Sequence, residues 1–173
     1  MAATRVLHGK TGFENVFLEQ VQVFSNIQRH PLGRVITVAY YSLIKITDEH
    51  LSHIEGHKGL KWVEVNEINS MAFDHLEIMH TCLQRMRREI RESPIGFHLL
   101  PQKFSLLQLQ RLYEVVLNIE MDKRNFRRKL KGLGILNDIG EIEESVSHRP
   151  ARLYTFDQKA YEKKKKNGFI FEL

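Results

Sequence analysis

The stretch DKRNFRRKLKGLGIL, residues 122–136, decides how the C-terminal part of this chain folds. Phe126, Leu130 and Leu133 recur at helical spacing, so they share one face of a short helix. Asp122 suits the N-cap, and either glycine of the GLG run can end the helix. The opposite face carries arginine and lysine, whose donors and charge suit guanine edges and phosphates. The pattern predicts a recognition helix, and the competing interpretation is a solvated basic face.

The positive charge of the chain is confined to its last part. The whole chain has 26 Lys+Arg and 21 Asp+Glu, but residues 1–100 carry 11 of each. Residues 101–173 carry 15 basic and 10 acidic residues, so the entire net charge of +5 lies there. A basic part joined to a neutral part predicts a polyanion ligand, nucleic acid first and an anionic membrane surface second. No segment approaches the apolar length of a membrane-spanning helix.

The composition excludes several classes of protein. The 173 residues can form one large or two small domains, and the only cysteine, Cys82, leaves no intramolecular disulfide. With no secretory signal, these features predict a reducing cytosol. Two histidine pairs, His53 with His57 and His75 with His80, lack cysteine or acidic partners at metal-ligand spacing. We find no phosphate loop, dinucleotide fingerprint or nucleophile–base pair, and we expect no cofactor and no metal.

The first 93 residues mix short strands and helices. Residues 34–46 are almost continuously apolar, which predicts a central strand buried on both faces. Residues 70–93 carry apolar residues at spacings of three and four, which predicts a long helix with one seam. The seam consists of Leu76, Met79, Leu83, Met86 and Ile90. The remaining predicted elements are a helix at 2–11 ending at Gly12, strands at 16–24 and 60–65, and a loop at 47–59.

A domain boundary is predicted within residues 94–103, which contain two prolines and one glycine. The helix that follows has Ser105 and Gln108 at the spacing of a capping box. A short connector joins it to the basic helix, which is the order of a helix-turn-helix.

Two further segments complete the C-terminal part. The stretches LNDIGEIEE and HRPARLYTF, 136–144 and 148–156, have the pattern of a hairpin joined by a polar loop, so the predicted domain is a winged helix. The lysine run 163–166 is expected to be a flexible, solvated segment, and phosphate contact is the alternative.

The side chains predicted to contact DNA divide into two groups. Four residues would read bases or clamp phosphates: Arg124, Asn125, Arg127 and Arg128. The lysines expected mainly at the DNA backbone are Lys123, Lys129 and Lys131. The wing would carry His148, Arg149 and Arg152 towards the backbone or minor groove.

Several stretches together resemble the Nudix-related transcriptional regulators: QRHPLGRVITVAYY, AFDHLEI, HLLPQKFSLLQLQRLYE, DKRNFRRKL and RPARLYTFD. The resemblance implies an α+β fold in which a partial Nudix-like α/β/α domain, residues 1–95, precedes a winged helix-turn-helix domain, residues 96–173. It also implies a homodimeric repressor that binds double-stranded operator DNA and responds to a small-molecule effector, an ADP-ribose-like nucleotide or a pentose. In such proteins the region of Arg29, His30 and Arg34 lies near the effector pocket, and a plain loop is the alternative interpretation of these residues.

The resemblance also bears on enzymatic activity. The segment AATRVLHGKTGF is similar to the second half of a Nudix box, but Val6, Gly9 and Lys10 stand at its acidic positions. Those side chains cannot supply the hard oxygen ligands of Mg²⁺, so no hydrolysis is expected. The first half of the box has no counterpart in residues 1–173, so the resemblance is to an N-terminally truncated Nudix-like domain. A Nudix hydrolase and a protein-interaction winged helix are the alternatives.

Overall fold

The computed structural model describes residues 2–14, 16, 18–46, 48–56, 59–144 and 150–173. By internal contacts the chain divides into two compact units, Met1–Met86 and Arg87–Leu173. The expected boundary after residue 95 lies nine positions further along and stays a prediction. Among the helices described, none has the length and apolarity needed to cross a membrane.

The described part of the first unit contains three α-helices, one 3-10 helix and two paired strands. They are α1 Ala2–Thr11, β1 Glu19–Phe24, β2 Thr37–Tyr41, α2 Asp48–Gly56, the 3-10 helix Val65–Glu67 and α3 His75–Glu92, which continues into the second unit. Strands β1 and β2 are antiparallel, with Glu19 opposite Tyr41 and Phe24 opposite Thr37. Helix α1 ends at Gly12 as predicted. The Gly12 φ of 71° is left-handed, and its N–H donates to the carbonyl of His8 at 2.8 Å.

Three sequence predictions for this unit are wrong. The segment 34–46 is not a central strand, because β2 spans only Thr37–Tyr41, has β1 as its partner and fully buries only Ala39. The predicted loop at 47–59 contains α2, which Ile54 anchors by burial. The predicted strand at 60–65 is not formed, since Trp62 is 42% exposed and no strand described in this unit pairs with it.

Helix α3 starts five residues later than predicted. Phe73 adopts a left-handed φ of 52°, which places a turn immediately before the helix and prevents a start at Ser70. Of the predicted seam, Ile90 is fully buried. The other four seam residues are half-buried: Leu76, Met79, Leu83 and Met86.

The second unit continues from α3 with a 3-10 turn and the elements of a winged helix. Its elements are the turn Pro94–Leu99, β3 Phe104–Ser105, α4 Leu106–Leu117, α5 Lys123–Leu133, β4 Leu136–Ile142, β5 Arg152–Phe156 and α6 Gln158–Lys166. The sheet is antiparallel in the order β3-β5-β4, so the predicted hairpin gains a third strand. Phe104 pairs with Tyr154, and Leu136 pairs with Phe156.

The C-terminal segment is ordered rather than flexible, which corrects the expectation for the lysine run. Residues 163–166 belong to α6, whose N-cap Asp157 accepts the N–H of Ala160 at 2.9 Å. Tyr161, Phe171 and Leu173 are buried in the core of the unit and hold the segment down. Apolar anchoring on both sides of the lysines therefore outweighs their mutual repulsion.

Candidate nucleic-acid interface

Helix α4 begins at a complete capping box. Ser105 Oγ accepts the N–H of Gln108 at 3.4 Å, and Gln108 Oε1 accepts the N–H of Ser105 at 2.8 Å. Ser105 is fully buried and also pairs with Leu153 on β5. The predicted capping box is confirmed, and it fixes the helix start to the sheet.

The turn between α4 and α5 is held by side chains from α4. Gln110 Nε2 donates to Glu114 Oε1 at 2.8 Å and to the carbonyl of Met121 at 3.1 Å. Glu114 Oε1 also accepts the N–H of Met121 at 3.1 Å. The Gln110 amide and the Met121 N–H together lower the pKa of Glu114 below its ordinary value. These bonds set the direction in which α5 leaves the turn.

Helix α5 forms as the sequence predicts. Asp122 caps its start by accepting the N–H of Asn125 at 2.8 Å, and Gly134 ends it with a left-handed φ of 59°. The three apolar residues that recur at helical spacing are all buried: Phe126, Leu130 and Leu133. The basic side chains are therefore left on the outer surface of a firmly packed helix.

The cations of α5 point in different directions. At about 100° per residue, Arg124 and Arg128 lie opposite the buried face, whereas Lys123 and Arg127 lie on one flank and Lys129 on the other. All are exposed except Arg127, which is half-buried. The Arg128 Nη2 donates to Oδ1 of Asn125 at 2.8 Å. This bond orients one guanidinium of the outward face.

A groove of about 610 Å³ runs along the flank of α5 that carries Arg127. Its described lining contains four cations and no carboxylate: Lys123, Arg127, Lys131 and Arg152. The Arg127 Nε is buried and has no hydrogen-bond partner among the residues described. A buried guanidinium donor beside three further cations suits one oxyanion, such as a backbone phosphate. We call this the cationic groove.

The wing is built by β4 and β5. Arg152 Nη1 donates to Asp138 Oδ2 at 2.9 Å, and both side chains are largely exposed. The Gly140 N–H, and then Arg152, lower the pKa of Asp138. Of the three predicted wing residues, His148 and Arg149 lie outside the described residues, and Arg152 borders the cationic groove.

The predicted effector residue Arg29 is occupied by partners inside its own unit. Its Nε and Nη2 bind the two carboxylate oxygens of Asp74 at 2.7 and 2.9 Å, and its Nη1 donates to Thr37 Oγ1 at 2.6 Å. The Arg29 side chain is only 5% exposed. The guanidinium holds the pKa of Asp74 below its ordinary value. Arg29 thus joins the strand region to the turn before α3.

The other two effector candidates differ in their surroundings. His30 lies 4.7 Å from the ring of Phe73, measured between centroids, and its Nδ1 accepts the N–H of Leu32 at 3.2 Å. Arg34 is exposed and does not border the small pocket of about 280 Å³ that Arg29 and His30 line. No sequence pattern singled out Phe73, which is 59% exposed in a left-handed backbone conformation.

Comparison with known proteins relates the C-terminal part to one family of DNA-binding domains. Residues 96–156 match the family model of the NrtR DNA-binding winged helix domain. This segment is similar to the NrtR winged helix. Over 164 residues the chain is 31% identical to a curated protein from Acinetobacter baylyi named "ADPR responsive transcriptional repressor NtrR". The match covers 92% of this chain but 64% of that protein, so the chain spans under two thirds of its relative's length.

Solved structures extend the likeness to the whole fold. The crystal structure of Shewanella oneidensis NrtR complexed with a 27mer DNA matches with a TM-score of 0.72 and 26% identity, over 92% of this chain and 73% of that one. A second crystal structure of Shewanella oneidensis NrtR matches with a TM-score of 0.70 and 28% identity, over 88% of this chain and 70% of that one. A MutT/nudix family protein from Enterococcus faecalis, at 20% identity and a TM-score of 0.55 over 89% and 68%, supports the fold alone. The prediction of an α+β fold, with a Nudix-like part followed by a winged helix-turn-helix domain, is confirmed.

Proposed function

We propose that the chain is a DNA-binding transcriptional repressor that reads its operator with α5 and the wing. The observation that carries this proposal is the build of α5, which buries three apolar residues and exposes a row of cations beside the cationic groove. A basic helix face that only contacts solvent does not require a groove in which four cations converge. The solved DNA complex of a relative supports DNA binding.

The orientation of the side chains divides the interface by role. Arg124 and Arg128 face outward, where they reach base edges in the major groove. Lys123, Arg127 and Lys131 border the cationic groove, where they hold one stretch of phosphate backbone together with the wing. Other backbone contacts come from Lys129 and the wing residues His148, Arg149 and Arg152.

The Nudix-like part, proposed as residues 1–95, senses the effector. The name of the A. baylyi relative supports an ADP-ribose-like nucleotide, and a pentose is the second candidate. Arg29 holds this region in shape, because its guanidinium is bound to Asp74 and Thr37. The effector is contacted by His30 and Arg34. Effector binding to a homodimer releases the operator.

We infer that this part does not hydrolyse nucleotides. Val6, Gly9 and Lys10 all lie on α1, a helix without a carboxylate, and all three are exposed. In the described residues no cluster of three or more histidine, cysteine or acidic side chains could hold a metal ion. A turnover assay with ADP-ribose and Mg²⁺ or Mn²⁺ tests this inference, and product formation above the rate of a heat-treated sample would establish the hydrolase alternative.

Fluorescence anisotropy against a duplex selected by the protein from a random-sequence pool tests DNA binding. If a dimer neutralises about six phosphates, the logarithm of affinity falls with the logarithm of salt at a slope of about −5. Arg128→Ala weakens binding to the selected duplex by about 1–3 kcal/mol and weakens binding to random-sequence DNA much less. Equal losses on both duplexes would assign Arg128 to the backbone. No selected duplex and no salt-dependent binding would leave the protein-interaction winged helix as the function.

A further inference from the structure

Gly132 is a glycine that the fold of this protein does not require. It lies inside α5 and is absent from the glycines of positive φ, so any residue could adopt its backbone conformation. The end of α5 is made by Gly134, whose φ of 59° does favour glycine. Glycine inside a helix is less stable than alanine, so its presence here needs another reason.

Packing within the chain does not supply that reason. A Cβ added at Gly132 meets no described atom within 4 Å. At Gly96, by contrast, an added Cβ lies 3.1 Å from Tyr113 Cε2, and at Gly134 it lies 2.9 Å from Lys164 Nζ. Gly96 makes room for the Tyr113 ring and Gly134 has a left-handed φ, whereas Gly132 leaves bare backbone facing open space.

The open position belongs to the outward surface of α5. Gly132 follows Arg128 by four residues and Asn125 by seven, so the three form one row along the helix. The Arg128–Asn125 hydrogen bond of 2.8 Å places an oriented polar pair at one end of this row. The other end carries no side chain.

We propose that Gly132 is a close-contact position of the DNA interface, where the bare backbone of α5 lies directly against the duplex. This inference rests on the proposed function and adds a residue with neither charge nor side chain to the interface. A glycine allows a helix to approach a ligand more closely than any other residue does. The close approach seats Arg128 and Asn125 deep enough to reach base edges.

Gly132→Ala tests the proposal, with Gly9→Ala as its matched control. Gly9 is also an exposed helical glycine whose added Cβ meets no described atom within 4 Å, but it lies on α1. Both substitutions raise the melting temperature, by about 3 °C, because alanine is the better helix former. Only Gly132→Ala weakens binding to the selected duplex, by about tenfold, since the methyl group forces the helix away from the DNA. Gly132→Leu weakens binding further.

The salt dependence separates this effect from a loss of charge. Gly132→Ala removes no cation, so its affinity falls at every salt concentration while the slope against salt stays that of the wild type. Wild-type affinity in both Gly132→Ala and Gly132→Leu would overturn the proposal and leave DNA binding itself intact. Failure of the wild-type protein to bind any duplex would refute the proposed function instead.

Discussion

Replacing Gln110 by methionine tests the bonds that hold the turn before α5. The change removes two hydrogen bonds, to Glu114 and to the Met121 carbonyl, each with a net value of about 1 kcal/mol. Leaving the Met121 carbonyl without its donor costs about 1 kcal/mol more. Removal of the Gln110 Oε1 atom, which is buried and has no described partner, offsets this last cost by a similar amount. Methionine matches the length of glutamine, so no cavity opens. The expected loss is about 2 kcal/mol in the free energy of unfolding.

The chain contains its own control for this experiment. Gln158 donates to Glu162 at 2.8 Å, the same distance and spacing as the Gln110–Glu114 pair, but on the exposed surface of α6. Gln158→Met therefore costs no more than about 0.5 kcal/mol. Urea unfolding, monitored by circular dichroism, measures the loss in both variants. The Gln110→Met variant also melts about 10 °C below the wild type. Equal losses in the two variants would refute the reasoning, since the buried backbone anchor would then contribute nothing.

Three further predictions address the core, the first unit and the wing. Leu130→Ala lowers the free energy of unfolding by about 3 kcal/mol, because the Leu130 side chain is fully buried beneath α5. A loss below about 1 kcal/mol in a urea titration would contradict this packing. The lowered pKa of Asp74 means that its pairing with Arg29 stabilises the fold above the ordinary value of 3.8 and is lost as pH falls through the folded pKa. The urea midpoints of wild type and Asp74→Asn therefore differ at pH 6 and converge well below pH 3.8; a constant difference would exclude this linkage. Asp138→Asn releases Arg152 from its ion pair and tightens binding to random duplex DNA by about threefold at low salt. Unchanged affinity would show that Arg152 does not contact the DNA.

The parts that the sequence predicted well depend on neighbours within a few residues. The capping box of α4 and the buried face of α5 both follow from spacings of three, four and seven. The cations of α5 are close together along the chain, so their concentration on one helix follows from residue order alone. The assignment of these residues to DNA contact is still a prediction.

The parts that the sequence did not predict depend on distant partners. The ion pair that occupies Arg29 joins residues 45 positions apart, so nothing near Arg29 indicates it. Strand β3 has two residues and exists because β5, far along the chain, pairs with it. The stretch 60–65 has the composition of a strand, but a strand also needs an edge on which to pair. Local pattern cannot show whether such an edge is available.

Ser105 belongs to two structures at once, since it pairs with β5 and caps α4. Ser105 therefore ties the wing directly to the helix-turn-helix, in addition to the apolar core that the two share. If the chain binds DNA as proposed, its two contact points are held at a fixed separation and adjust little to the groove that they meet. The bending and groove width of each candidate operator would then enter its affinity directly, including at base pairs that no side chain touches.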